Sequence, residues 1–107
     1  MARFLFQGSY SADGIKGVLK EGGTGRRAAI EAALKSLGGK LEGLYYAFGD
    51  TDVYVIVDGL DNTTAAAFSM GVGASGALSS VKTTVLMTPE DIDQAAKKTM
   101  SYRAPGR

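Results

Sequence analysis

Apolar and polar positions change period several times along the chain, and each change marks a new predicted element. Residues 4–10 alternate large side chains with smaller or polar ones, a period of two that predicts a strand. Ser11 or Asp13 then caps a short predicted helix, which the glycine-rich residues 22–25 interrupt. A longer helix follows, with apolar residues spaced by three and four on one stripe: Ala29, Ile30, Ala33, Leu34 and Leu37.

The second half of the chain continues this alternation of strands and helices. Gly38-Gly39 ends the long helix, because glycine adopts the left-handed conformation without steric cost. The next predicted elements are a strand over residues 41–48, a hairpin turn over 49–52, a strand over 53–57, a helix over about 64–73 capped by residues 61–63, and a strand over 78–87. Thr88 and Pro89 open a last helix as cap and first residue.

The resulting order, β-α-β-β-α-β and a terminal helix, predicts an α+β fold of the ferredoxin-like, split βαβ kind. Two right-handed crossovers place both main helices on one face of a four-stranded antiparallel sheet. The other face is then bare, yet the middle strands are apolar on both sides: Leu44, Tyr46 and Phe48 alternate with Tyr45 and Ala47, and Val53, Val55 and Val57 alternate with Tyr54 and Ile56. Monomers rarely expose such a patch, which favours pairing with a second copy unless the terminal helix covers it.

The length of 107 residues suits one domain with one core. We expect a single domain over residues 1–98. Residues 99–107, which contain Pro105-Gly106, are expected to form a loose tail.

Composition excludes several function classes. The 12 basic and 11 acidic residues give a net charge of +1, and no basic stripe points to nucleic acid or to a membrane surface. The chain has neither Cys nor His, which removes thiolate catalysis, disulfides and the commonest general base and metal ligand. No apolar run is long enough to cross a membrane and no signal-peptide pattern is present, so we expect a cytoplasmic protein without metal or cofactor.

Two loops contain candidate site residues. In the turn over residues 49–52, the carboxylates of Asp50 and Asp52 suit either a hard cation or hydrogen bonds within the hairpin. Before the long helix, a glycine run followed by Arg26 and Arg27 suits an anion. Both arginines oppose the helix dipole, and Glu31, four residues after Arg27, offers an internal partner.

Aromatic residues supply the third candidate. Tyr10, Tyr45, Tyr46, Phe48 and Tyr54 either line a small-molecule pocket or pack in the core and between copies. Tyr10 ends a strand just before a helix start, where a pocket can open, and Tyr46 and Asp52 flank the hairpin. The predicted ligand-binding set is therefore Tyr10, Arg27, Tyr46 and Asp52.

A series of short motifs runs in order from about residue 1 to residue 87, at residues 6–17, Arg27, residues 37–41 and residues 45–52. In these motifs the chain resembles the GYD domain family. The signature of the family falls on residues 49–52, where Thr51 replaces the usual tyrosine. This resemblance implies a ferredoxin-like fold related to the dimeric α/β barrels.

Two hypotheses for function follow. In the first, the protein is a homo-oligomeric, non-catalytic module that binds a small molecule or serves as an accessory protein. In the second, which the relation to dimeric α/β barrels implies, it is a cofactor-free oxygenase or isomerase acting on a small aromatic or quinone-like compound. The second requires Tyr, Arg and Asp chemistry, with Asp52 or Asp50 as general base.

Overall fold

A computed structural model describes residues 2–107. Its elements are β1 (Ala2–Tyr10), α1 (Ala12–Ser36), β2 (Lys40–Tyr46), β3 (Val53–Leu60), α2 (Asn62–Ala74), β4 (Leu78–Leu86) and α3 (Pro89–Ala96). The four strands form one antiparallel sheet in the order β2-β3-β1-β4. This is the predicted ferredoxin-like α+β arrangement, which the structure confirms. No helix in residues 2–107 has the length and apolar character needed to cross a membrane.

The core lies between the sheet and the helices. On β1 and β3, every second side chain points toward α1 and α2 and is buried, while the intervening ones are half-buried. Phe6 meets Phe68 of α2 edge to face, with ring centroids 4.8 Å apart. The buried residues are Phe4, Phe6, Leu34, Val53, Val55, Val57, Leu60, Ala65 and Phe68.

Each helix begins at a side-chain cap. The Ser11 hydroxyl accepts the Gly14 amide at 3.1 Å, which settles the choice between Ser11 and Asp13. Asp61 accepts the Thr64 amide at 2.7 Å. Thr88 and Asp91 form a reciprocal capping box at the start of α3. These contacts satisfy amides that a helix leaves without an internal partner.

The prediction of a four-residue break at residues 22–25 was wrong in extent. Two helical segments of α1 meet at a kink, where Gly22 alone leaves helical geometry, at φ 78° and ψ 166°. Gly23 continues the helix and lies against the ring of Tyr46, which a Cβ at residue 23 would approach to 3.4 Å. Packing against β2 therefore overrides the poor helix propensity of the following glycines.

Two strand boundaries differ from prediction. β2 ends at Tyr46 instead of residue 48, and Phe48 lies fully exposed in the turn. β3 continues to Leu60, three residues past the predicted end, because Leu60 joins the core at 1% exposure. Asp58, which resembles a turn residue in the sequence, lies 4.0 Å from Arg3 of β1.

The opposite face of the sheet is uncovered. Leu5, Tyr54 and Ile56 lie there half-buried, and Tyr45, opposite Tyr54 on β2, is 65% exposed. α3 does not cover this face, because all its residues are exposed and it packs against no strand extensively. The radius of gyration, 17.0 Å, exceeds the roughly 13 Å of a compact chain this long, which fits an α3 held away from the body.

Candidate functional site

A cavity of about 130 Å³ lies between the sheet and the two main helices. Its walls are mostly apolar and come from β1, β3, β4, α1 and α2. The principal apolar residues are Phe6, Val53, Val55, Phe68, Val72 and Leu78. An apolar hollow with few polar groups at its edge is the usual form of a small-molecule site.

Small residues on both sides keep this space open. Gly8 of β1 lies in the cavity wall, where an added Cβ would stand 2.9 Å from a methyl carbon of Leu78. On the helix side, Ala29 and Ala33 occupy successive turns of α1 above the sheet. Larger side chains at these three positions would fill the volume that the walls enclose.

Tyr10 and Arg26 form the polar end of the cavity. Both also line a shallower groove of about 390 Å³ with Glu21, so they lie where the cavity meets the solvent-facing groove. The Arg26 guanidinium contacts Glu21 through Nη1 at 3.4 Å. Because a guanidinium carries five donors, this one contact leaves Arg26 with further hydrogen-bonding capacity.

The environment of Tyr10 keeps its phenol protonated. Burial raises the pKa of Tyr10 to about 12, and the neighbouring Tyr46 and the Asp52 carboxylate add to the rise, while the Arg26 cation opposes it. At neutral pH the Tyr10 hydroxyl is protonated, as a tyrosine of ordinary pKa is, and the raised pKa extends this state to higher pH.

Asp52 fastens the turn over residues 47–52 to the end of β1. Its Oδ2 accepts the Tyr10 amide at 2.9 Å, and its own amide donates to the Gly8 carbonyl at 2.9 Å. The Ser9 hydroxyl donates to the Asp50 carbonyl in the same turn. These bonds support the structural interpretation of the turn carboxylates, and within residues 2–107 no group of three acidic side chains comes together as a metal site.

The structure brings together three of the four predicted site residues. The Tyr10 amide donates to Asp52 Oδ2, and Tyr46 lies near Tyr10 and raises its pKa; of these three residues, Tyr10 alone lines the cavity. Arg27 is outside the cavity, beside β2, in a shallow hollow that Tyr46 also lines, and its Nε is 3.9 Å from Glu31 in the i, i+4 pair anticipated from the sequence. Its role in ligand binding stays a prediction.

Arg26, which follows the glycine run together with Arg27 in the candidate anion-binding loop, was not in the predicted ligand-binding set. The available signal was helical phase, because Arg26 precedes Ala29, Ile30 and Ala33 by three, four and seven residues. The core-facing stripe of α1 therefore extends back to Arg26. Arg27 lies one position off this stripe and faces the side of the helix.

The other aromatic candidates divide between the two faces and the turn. Tyr46 packs against Gly23 of α1 on the helix side. Tyr45 and Tyr54 pair across β2 and β3 on the open face, and Phe48 projects from the turn into solvent. Tyr10 is thus the aromatic candidate that lines the cavity directly.

Comparison with protein families shows that the family model described as GYD domain matches residues 4–96. This span takes in every element from β1 to α3 and all the residues of the cavity. Comparisons with curated proteins and with solved structures find no match.

Proposed function

The chain belongs to the GYD domain family, and from that premise we propose that it is a homo-oligomeric, non-catalytic module that binds a small molecule in the cavity between sheet and helices. The observation that carries the proposal is the cavity itself, an apolar space of about 130 Å³ with Tyr10 and Arg26 at one end. Mostly apolar walls with a few polar groups at one end are typical of small-molecule sites, which supports a binding function.

Binding is favoured over catalysis by the placement of the acidic groups. A general base has to lie within reach of its substrate, and among the described residues that line the cavity none is a carboxylate. The Asp52 carboxylate accepts the Tyr10 amide and holds the hairpin in place. The alternative function, a cofactor-free oxygenase or isomerase acting on a small aromatic or quinone-like compound, would need Asp52 or Asp50 as its base.

The oligomeric part of the proposal rests on apolar surface that one copy leaves exposed. Tyr45, Tyr54 and Ile56 form an apolar strip on the open face, and α3 and the following residues expose Ile92, Met100 and Tyr102. Burying apolar surface stabilises an assembly by about 25 cal/mol per Å². Face-to-face pairing of two sheets would bury the strip of each copy against that of the other.

The binding proposal is tested with three ring-sized probes, toluene, benzamide and benzoate, titrated into isotopically labelled protein. We expect at least one to shift the amide resonances of residues lining the cavity. Ala33→Phe should abolish binding by filling the space, while Ala32→Phe, one position away on α1 and outside the cavity, should preserve it. If none of the three probes shifts the resonances of cavity residues at millimolar concentration, the result contradicts the proposal.

The assembly proposal is tested by native mass spectrometry of freshly purified protein, which also reports any retained small molecule. We expect an even number of copies. Ile56→Lys should dissociate them, because it places a charge on the open face, whereas Ala28→Lys, on the exposed side of α1, should have no effect. A monomeric wild-type protein would exclude pairing.

A further inference from the structure

We propose that the ligand is a small monocarboxylate whose apolar body, about the size of one six-membered ring, enters the cavity while its carboxylate binds Arg26. This inference rests on the proposed binding function and specifies its ligand class. Size, polarity and the free donors of Arg26 each support it.

The size of the body follows from the volume. The cavity holds about 130 Å³, and an apolar protein cavity of about 150 Å³ is known to accept benzene. Gly8, Ala29 and Ala33 are small residues on the two facing walls, and both alanines are exposed, so the space is also open to solvent beside α1. A two-ring compound would extend beyond this space.

The sign of the ligand's charge follows from the polar end. Arg26 is permanently cationic, and the Tyr10 phenol is a donor at neutral pH. Among the described residues that line the cavity, none is acidic, and Gln7 and Ser69 are the other polar ones. A cationic ligand would meet Arg26 without a compensating carboxylate inside the cavity, whereas an anionic head would receive hydrogen bonds from Arg26. The Tyr10 phenol proton is already engaged by its hydrogen bond with Tyr46.

The geometry of Arg26 favours a carboxylate. Its contact with Glu21 uses Nη1 at 3.4 Å, and both side chains remain partly solvent-accessible, so the pair contributes little to stability. The other guanidinium nitrogens stay available for the two parallel hydrogen bonds that arginine makes with a carboxylate. Glu21 then lies on the groove side, where it is able to hold Arg26 at the cavity mouth.

The test compares benzoate with benzamide, which have nearly the same shape and differ in charge. We expect benzoate to bind the full-length protein at least tenfold more tightly, as measured by resonance shifts of cavity residues. Arg26→Gln should remove this preference. Arg27→Gln, which removes the same charge from the neighbouring position, should keep it.

The possible outcomes separate this inference from the function on which it rests. Equal affinity for benzoate and benzamide would overturn the carboxylate inference and leave cavity binding intact, while no binding of either would contradict both. Loss of the preference in Arg27→Gln but not in Arg26→Gln would also overturn it. If Arg26→Gln folds poorly by circular dichroism, Arg26→Lys provides the test, because it keeps the charge without the paired donors and should retain only part of the preference.

Discussion

The two faces of the same sheet are similar in hydrophobicity and differ in what covers them. On β3, Val53, Val55 and Val57 face the helices and are at most 5% exposed, while Tyr54 and Ile56 face away and stay half-buried. The alternation of side chains along a strand thus places two apolar sets on opposite faces, but it does not indicate which set forms the core. Helix attachment makes one face the core, and the other remains an apolar surface that needs a further partner.

The largest expected difference between the faces comes from adjacent residues of β1. Phe6→Ala should lower the free energy of unfolding by about 3–5 kcal/mol, since it removes a buried ring that packs on Phe68. Leu5→Ala, on the open face, should lower the free energy of unfolding by less than Phe6→Ala does when both are measured at low protein concentration. Urea denaturation at two protein concentrations measures both effects, and equal losses for the two variants would contradict the assignment of the core to the helix side.

The start of α1 provides the next test of how closely the covered face is fitted. An added Cβ at Gly14 would stand 1.9 Å from the Ala77 carbonyl oxygen, so Gly14→Ala should displace backbone and destabilise by about 1–3 kcal/mol. Gly17→Ala, one turn further along α1 with no atom within 4 Å, is the matched control. It should stabilise by about 0.5–1 kcal/mol. Thermal melting measures the stability of both variants. If Gly14→Ala leaves the stability unchanged, the start of α1 does not lie so close to the Ala77 carbonyl.

The kink in α1 should respond more weakly. Gly22 lies at φ 78° and ψ 166°, a region that other residues occupy at a cost of roughly 1–3 kcal/mol. Relaxation along an exposed helix should keep the loss from Gly22→Ala near the lower end. A gain in stability and in helical circular dichroism would instead show that a straight α1 covers the sheet equally well.

The sequence alone predicted most of the fold because its local signals agree. Strand periodicity, the Ser11, Asp61 and Thr88 caps and the glycine pair after the long helix all mark real boundaries. The predictions were wrong where tertiary contacts determine the local structure. Gly23 stays helical where it packs against Tyr46, and Leu60 extends β3 because it packs in the core.

The candidate site was less predictable, because a cavity is a property of facing elements. Tyr10 was found from its place at a strand end, yet nothing local to Gly8 indicates that it faces Ala29 and Ala33 across an open space. The predicted set contains Arg27, whereas Arg26 is the arginine that falls on the inner stripe of the helical segment after Gly22 and lines the cavity.

The smallest expected effect tests the polar end of the covered face through pH. The pKa of Tyr10 rises to about 12 in the folded protein against about 10 in an unfolded chain. The unfolded state therefore loses its proton first, so the contribution of Tyr10 is constant below about pH 10 and is lost between about pH 10 and 12. Tyr10→Phe lacks this titration and serves as the reference, because lysine ionisation is common to both chains. Thermal melting from pH 8 to 12 should show the wild type losing stability faster than Tyr10→Phe above pH 10, to a modest extent because Tyr10 is only half-buried. Parallel curves would mean that the Tyr10 phenol is as solvated in the folded protein as in the unfolded chain, and the cavity would then lack the dry polar end on which ligand recognition depends.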